Sequence, residues 1–443
     1  MNSKKIAFVS LGCAKNLCDT EVMLKKMADA GYDIVPEAES ADAVVVNTCA
    51  FIEEAKRESI DTVLDLAWLK EHHSLKALIV TGCMAERYRE ELLAEMPEID
   101  AIVGVGSLDR IVEAVDSALG GERGFAALDP KETCALGGDR VVTTDSMAYL
   151  KIAEGCSNRC AYCAIPSIRG PLRSRPIEDI AAEACDLDGM GIKELNVIAQ
   201  DTSAYGIDLY GRYELPRLIN EITEKTRIPW IRLLYCYPDK ITDELVELLR
   251  SNDRVVKYVD IPIQHISDPV LCRMNRHGDS AMIKDAVRRL CEAVPGIVLR
   301  TTLIVGFPGE TDADFEELCR FVKKAEFDRL GAFTYSREED TPAYSMEDQV
   351  SEEIKQKRYD VLMKTQLRIS EKKMKERVGR VYPTLCESFD PVAETYVGRT
   401  PFEAPDVDGK VFFTSSRPVS EGEIVDVKIT DSMDYDMVGE TVV

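Results

Sequence analysis

Cys156-Ser157-Asn158-Arg159-Cys160-Ala161-Tyr162-Cys163 sets three thiols at C-x3-C-x2-C spacing, just after an apolar, strand-like segment at 149–153. Three cysteines this close can hold three irons of a cubane cluster and leave the fourth open to a substrate or cofactor. A fourth thiolate would close the site for electron carriage or structure. Structural zinc prefers four ligands in paired Cys or Cys/His sets, and no second pair lies near this run.

Outward from this run the chain alternates strand-like and helix-like stretches. Strand candidates at 149–153, 194–198, 230–235, 258–261, 298–304 and 330–334 are separated by helical stretches. Six βα units predict an open, partial (β/α)6 barrel, short of the eight that close a full barrel. Towards the amino terminus, apolar runs at 6–11, 43–47, 77–81 and 101–105 alternate with helical patterns at 16–30, 53–71, 86–95 and 108–119. That alternation predicts a doubly wound parallel sheet with helices on both faces. Residues 120–144, rich in Gly, Asp and Thr, read as a linker. Towards the carboxyl terminus a charged helical stretch at 351–378 gives way to short strand-like runs at 381–387, 395–399, 410–414 and 424–429. These predict a small all-β barrel. The expected fold is therefore α/β and multidomain, divided at 1–140, 141–375 and 376–443.

The 443 residues are 45% apolar, enough for several cores, and no apolar run approaches the ~20 residues of a membrane helix. The start runs straight into a strand-like segment without a signal-peptide pattern, so a cytoplasmic chain with no membrane partner is expected. Fourteen cysteines then read as thiol and metal chemistry in a reducing compartment. A formal charge of −24 argues against a general nucleic-acid binder and suits a basic protein partner.

A second thiol set is spread over the amino-terminal domain. Ser10-Leu11-Gly12-Cys13, Asn47-Thr48-Cys49 and Thr81-Gly82-Cys83 end its first three predicted strands. The carboxyl ends of parallel strands share one edge, where ligands bind. Gly12 and Gly82 would let backbone approach a bulky group. Any one of these cysteines alone would read as a small buried residue. Three at equivalent positions in successive units point to a second iron–sulfur cluster, again with one exchangeable iron. Cys18, Cys134, Cys185, Cys236, Cys272, Cys291, Cys319 and Cys386 lack mutual spacing and read as core or surface thiols, with Cys18 notable for its nearness to Cys13.

Three strand-end cysteines, then C-x3-C-x2-C with an aromatic Tyr162 before its last cysteine, then a small β domain resemble the radical S-adenosylmethionine methylthiotransferases. The carboxyl-terminal domain resembles a TRAM domain. The segments at 10–17, 200–206 and 260–266 resemble most closely the branch that modifies a ribosomal protein aspartate. The resemblance implies two 4Fe-4S clusters, on Cys156, Cys160 and Cys163 and on Cys13, Cys49 and Cys83, together with S-adenosyl-L-methionine. It implies a 5′-deoxyadenosyl radical that takes hydrogen from an aspartate β-carbon of small-subunit ribosomal protein twelve, free or in the ribosome. Sulfur methylated by a second S-adenosylmethionine then joins that carbon. A reducing electron donor and a sulfur source are implied as partners. The sister branch modifies N6-isopentenyladenosine in tRNA.

Residues 381–443 carry 13 Asp/Glu against 4 Lys/Arg, a balance that argues against direct tRNA binding and for a basic protein. A non-catalytic two-cluster electron carrier is the alternative of another class, and the open three-cysteine motif speaks against it. Gln200 and Asp201 end a barrel strand, where barrel active sites lie, and read as cofactor-binding. Arg300 and Gly306, on a strand feeding a Gly/Pro turn, suit cofactor contacts as well. Arg169, Arg173 and Arg175 could meet either a cofactor carboxylate or acidic protein, and His265 either a ligand or a polar core. No residue stands out as a general acid or base.

Overall fold

The computed structural model describes residues 4–126 and 137–442, so Cys134 lies outside the described residues. Nineteen strands occur among them, β1 to β19 in chain order. The amino-terminal six are β1 (Lys5–Ser10), β2 (Asp33–Ile34), β3 (Ala43–Thr48), β4 (Ala77–Gly82), β5 (Ala101–Val103) and β6 (Gly124–Ala126). They form one sheet in the order β2-β1-β3-β4-β5-β6, with every pair parallel. β3 and β4 are buried at every position. Val44, Val46, Leu78 and Val80 pack into one core, while Val45 and Ile79 pack into another on the opposite face. Near-continuous apolar strands covered on both sides are what a doubly wound sheet requires. The helices covering it are α1 (Ala14–Asp29), α2 (Glu53–His72), α3 (Cys83–Glu95) and α4 (Ile111–Leu119).

Three details differ from the sequence reading. β2 intervenes between the first two cysteine-ending strands; at two residues it is too short to show a period. The helix expected at 108–119 opens as a 3-10 turn, Val105–Arg110. The segment read as a linker contributes β6, parallel to β5, and later Arg140, which is buried between Glu21 (2.8 Å) and Glu183 (3.0 Å). Its Gly-rich composition hides one strand pairing and one ion-pair anchor.

The second sheet is also parallel. It comprises β7 (Met147–Lys151), β10 (Glu194–Ile198), β11 (Trp230–Leu233), β12 (Val255–Asp260), β13 (Val298–Val305) and β14 (Arg329–Thr334), in the order β14-β13-β12-β11-β10-β7. This is the expected six-unit open barrel. A short antiparallel pair, β8 (Ala153–Glu154) with β9 (Arg173–Ser174), brackets the cysteine run and the short helix α5 (Ile165–Arg169). Side chains alternate strictly along the strands. On β10, Leu195 and Val197 join the core under the outer helices, whereas Ile198 faces inward with Tyr149, Leu234, Tyr258 and Val298.

The carboxyl-terminal strands β15 (Val381–Asp390), β16 (Thr395–Arg399), β17 (Val411–Thr414), β18 (Ile424–Ser432) and β19 (Met437–Thr441) close a barrel. β19 escaped the sequence reading because Met-Val-Gly-Glu-Thr is short and broken by glycine. The loop after β16 enters the open inner face of the second sheet. Arg399 reaches Glu194 at 2.6 Å, Arg329 reaches Glu403 at 2.9 Å, and Tyr258 donates to Asp408 at 2.7 Å. Part of the acidic excess of this domain is therefore spent inside the molecule, against barrel arginines. The long helix Glu352–Lys375 runs along β14, and its Ser370 hydroxyl donates to the Asp434 carbonyl at 2.7 Å. Among the described residues, no helix is long and apolar enough to cross a membrane.

Candidate cluster sites and the cleft between them

The amino-terminal cysteines meet at the carboxyl edge of their sheet. Cys13 precedes α1, Cys49 follows β3, and Cys83 opens α3 after β4. Gly12 (φ +87°) makes this possible: a Cβ there would lie 2.8 Å from Cys49 Cβ. Gly82 (φ +92°) is equally constrained, since a Cβ would come within 2.3 Å of Asn47 Oδ1. Burial pushes the Cys49 thiol up to about 12, and Cys83 and Cys13 push in the same direction by charge repulsion, so the three thiols are neighbours. Burial likewise raises the Cys83 thiol, against the pull of Arg169.

The second triad lies at the corresponding edge of the barrel sheet. Burial raises Cys156 to about 11 and Cys163 to about 12, with Cys160 adding repulsion to both. Gly155 (φ +73°) holds the loop tight, because a Cβ would meet Pro171 O at 2.1 Å. Donors converge on the sulfurs. Asn158 Nδ2 lies 3.4 Å from Cys156 Sγ, and the Arg276 guanidinium lies 3.7 Å from Cys160 Sγ. Arg276 is itself stacked on Tyr237, 4.2 Å from the ring centroid.

Both triads fit an iron–sulfur cluster by their chemistry. Each is a thiol-only donor set on glycine-cradled loops, and a metal that binds there takes the place of the thiol protons. Hydrogen bonds to the sulfurs are the expected second layer around such a group. Among the described residues, no group of three Cys, His, Asp or Glu is arranged around a single metal ion. A cubane is a larger body and needs its ligands farther apart.

Between the triads lies a buried polar network centred on Arg169, which is 2% exposed. Its guanidinium donates to Asn16 Oδ1 (2.7 Å), Asp19 Oδ2 (3.1 Å) and Glu154 Oε2 (2.8 Å), and its Nε lies 3.5 Å from Cys83 Sγ. Glu154 in turn accepts from Lys151 (3.0 Å), from the Gly155 amide (3.0 Å) and from Gln200 Nε2 (2.6 Å). Burial opposes the charge on Glu154, but Arg169 and Lys151 hold its carboxyl well below the usual range. A buried charge is tolerated when it is paired and hydrogen-bonded on all sides, and this one is.

The other predicted residues fall in different places. Gln200 stands at the end of β10, and its Oε1 is buried without a partner. Asp201 is consumed internally: it accepts from Asn158 Nδ2 (2.7 Å), Ser203 Oγ (2.7 Å) and the Ala204 amide (3.1 Å), and pairs with Lys240 at 3.1 Å. It therefore holds the amide that faces Cys156. Arg300 points into the barrel interior and pairs with Asp260 at 2.8 Å. Gly306 (φ +71°) lets the turn after β13 close on Lys355, whose Cγ would lie 2.3 Å from a Cβ at this position. Gln264 (φ +67°) presents a second buried acceptor without a partner. His265 is a core residue whose Nδ1 accepts from the Ser267 amide at 3.0 Å. Arg173 donates to the Arg169 carbonyl at 3.0 Å, and Arg175 pairs with Glu183 at 2.6 Å.

Sequence reading missed Asn16, Asp19, Glu154, Asn158 and Arg276. Asn16 and Asn158 lie within or beside the motifs and carried a positional signal. Arg276 is 116 residues from Cys160 and carried none.

Comparison with known proteins agrees with this architecture. The chain matches the family models for uncharacterized protein family UPF0004 at residues 5–104, the radical SAM superfamily at 150–322 and the TRAM domain at 378–442. It is 47% identical to a ribosomal protein uS12 methylthiotransferase RimO of Acetivibrio thermocellus, covering 99% of this chain and 98% of that one. It is 48% identical to the protein of that name from Geobacter sulfurreducens, covering 99% of each. Among solved structures it resembles the radical S-adenosylmethionine methyltransferase TsrM of Kitasatospora setae, with a TM-score of 0.59 at 14% identity over 77% of this chain and 74% of that one. That likeness concerns the fold alone. Relatives this similar over nearly their full length show that the chain belongs to the RimO family of radical S-adenosylmethionine methylthiotransferases.

Proposed function

We propose that this chain methylthiolates the β-carbon of an aspartate in small-subunit ribosomal protein twelve. The observation that carries this reading is the pair of thiol triads at the edges of two sheets, joined through Arg169. Its domains are taken as 1–140, 141–375 and 376–443, acting in the cytoplasm with an electron donor and a sulfur source.

Cys156, Cys160 and Cys163 would hold one 4Fe-4S cluster, and Cys13, Cys49 and Cys83 a second. When bound, these groups supply reductive cleavage of S-adenosyl-L-methionine and the sulfur to be transferred. The chain's own residues bind and orient. Asn158 and Arg276 donate to Cys156 and Cys160 sulfurs, and Asp201 fixes Asn158. Gln200 and Gln264 offer acceptors that suit the ammonium group of S-adenosylmethionine. Arg300 and Gly306 take supporting positions, the one on the inner wall and the other in the turn that packs on Lys355. No side chain of ordinary basicity removes a proton from an aspartate β-carbon, which is why a radical route is required.

Mass spectrometry of ribosomal proteins and tRNA from cells with and without the gene tests the reading. A methylthio increment lost from the ribosomal protein is expected. Its loss from tRNA instead would overturn the substrate.

A further inference from the structure

Among the described residues, the buried lysines are paired with carboxylates, with one exception. Lys151 reaches Glu154 at 3.0 Å, Lys240 reaches Asp201 at 3.1 Å, and Lys355 reaches Glu352 at 2.6 Å. Lys15 is 7% exposed, and among the described residues it has no carboxylate and no hydrogen bond. Its ammonium sits over the Tyr235 ring, 3.2 Å from the centroid. A ring face attracts a cation but supplies no counter-charge.

The position of this cation is informative. Lys15 lies two residues beyond Cys13, in the first turn of α1. Tyr235 follows β11 at the barrel's carboxyl edge in a left-handed conformation (φ +61°). Its carbonyl accepts from the Thr202 amide at 3.0 Å and its amide donates to Asp260 Oδ2 at 3.1 Å, so the ring is fixed beside the Gln200–Asp201 turn. The Lys15 ammonium therefore stands where the first turn of α1 meets the barrel's carboxyl edge. A strained tyrosine holding a cation without a counter-charge is a feature that folding alone does not reward.

We propose that Lys15 receives the side-chain carboxylate of the substrate aspartate and thereby selects aspartate over uncharged residues. The inference rests on the proposed function, and it names the residue that recognises the carboxylate. An ion pair formed beside the ring, with a charge-assisted hydrogen bond, anchors the substrate and gives the cation the counter-charge it lacks. The β-carbon next to the carboxylate is then held between the two triads.

The test uses the reconstituted full chain and small-subunit ribosomal protein twelve carrying either aspartate or asparagine at the modified position. The wild-type chain should bind the aspartate form about 10- to 100-fold tighter than the asparagine form. Lys15→Met should bring that ratio close to one and leave S-adenosylmethionine binding intact. Equal wild-type affinity for the two forms overturns the proposal, whether or not the variant folds. So does a variant that keeps the preference or loses S-adenosylmethionine binding instead. Failure of the functional reading is seen separately, as no methylthio increment on the aspartate form, and it would remove this proposal with it.

Discussion

Arg169 Nε lies 3.5 Å from Cys83 Sγ, while the same guanidinium contacts Glu154, the residue two before Cys156. One buried side chain thus touches a ligand loop of each triad. Arg169→Met should leave Asp19 and Glu154 buried with too little positive charge and cost about 3–5 kcal/mol in anaerobic denaturant unfolding. Arg169→Lys keeps the charge but loses the planar fork. It should fold, and the cluster on Cys13, Cys49 and Cys83 should become harder to reduce in an EPR-monitored titration, because hydrogen bonds to sulfur raise the potential. An unchanged midpoint in the lysine variant would remove Arg169 from the environment of that cluster.

The barrel and the carboxyl-terminal domain are joined at Glu403, which pairs with Arg329 and Arg377, both at 2.9 Å. Glu403→Gln keeps the shape and leaves two buried guanidinium groups facing a neutral amide. A loss of about 3 kcal/mol is expected, with earlier protease cleavage between the domains. Resistance equal to wild type would show that the Glu403 pairs do not hold the interface.

His265 supplies a pH dependence. Burial pushes it down from 6.5 to about 4, with Asp314 opposing and Arg358 assisting. Between these values the unfolded chain binds a proton at this position that the folded chain does not. Its contribution is therefore complete above about pH 6.5 and is lost as pH falls towards 4, by up to roughly 3 kcal/mol. His265→Gln should flatten stability across that window, measured by urea unfolding at a series of pH values.

The sequence made the architecture legible where periodicity and chemistry coincide. β10 and β16 match the expected spans because apolar alternation and turn residues bound them cleanly. The convergence of Cys13, Cys49 and Cys83 was legible because strand ends share an edge in a parallel sheet, so residues far apart in sequence meet. The intervening network was not. Arg169 read equally well as a partner of a cofactor carboxylate or of acidic protein, and its neighbours Asn16 and Asp19 lie on a helix of another domain. Asp201 read as a binding residue, whereas the fold spends its carboxylate on Asn158, Ser203 and Lys240. Charge counts said nothing of placement: Glu403 and Asp408 add to an acidic total but face barrel arginines. Composition records how many charges a segment carries and not where they point.

The account turns on there being two separable cluster sites. The direct measurement is iron content together with 5′-deoxyadenosine and methylthio product for Cys49→Ala and Cys156→Ala, each reconstituted without oxygen. Each variant should retain about half of the wild-type iron. Cys156→Ala should form no 5′-deoxyadenosine, whereas Cys49→Ala should still form it and yield no methylthiolated protein. Full methylthiolation by the Cys49→Ala chain, with its iron unchanged, would contradict the account.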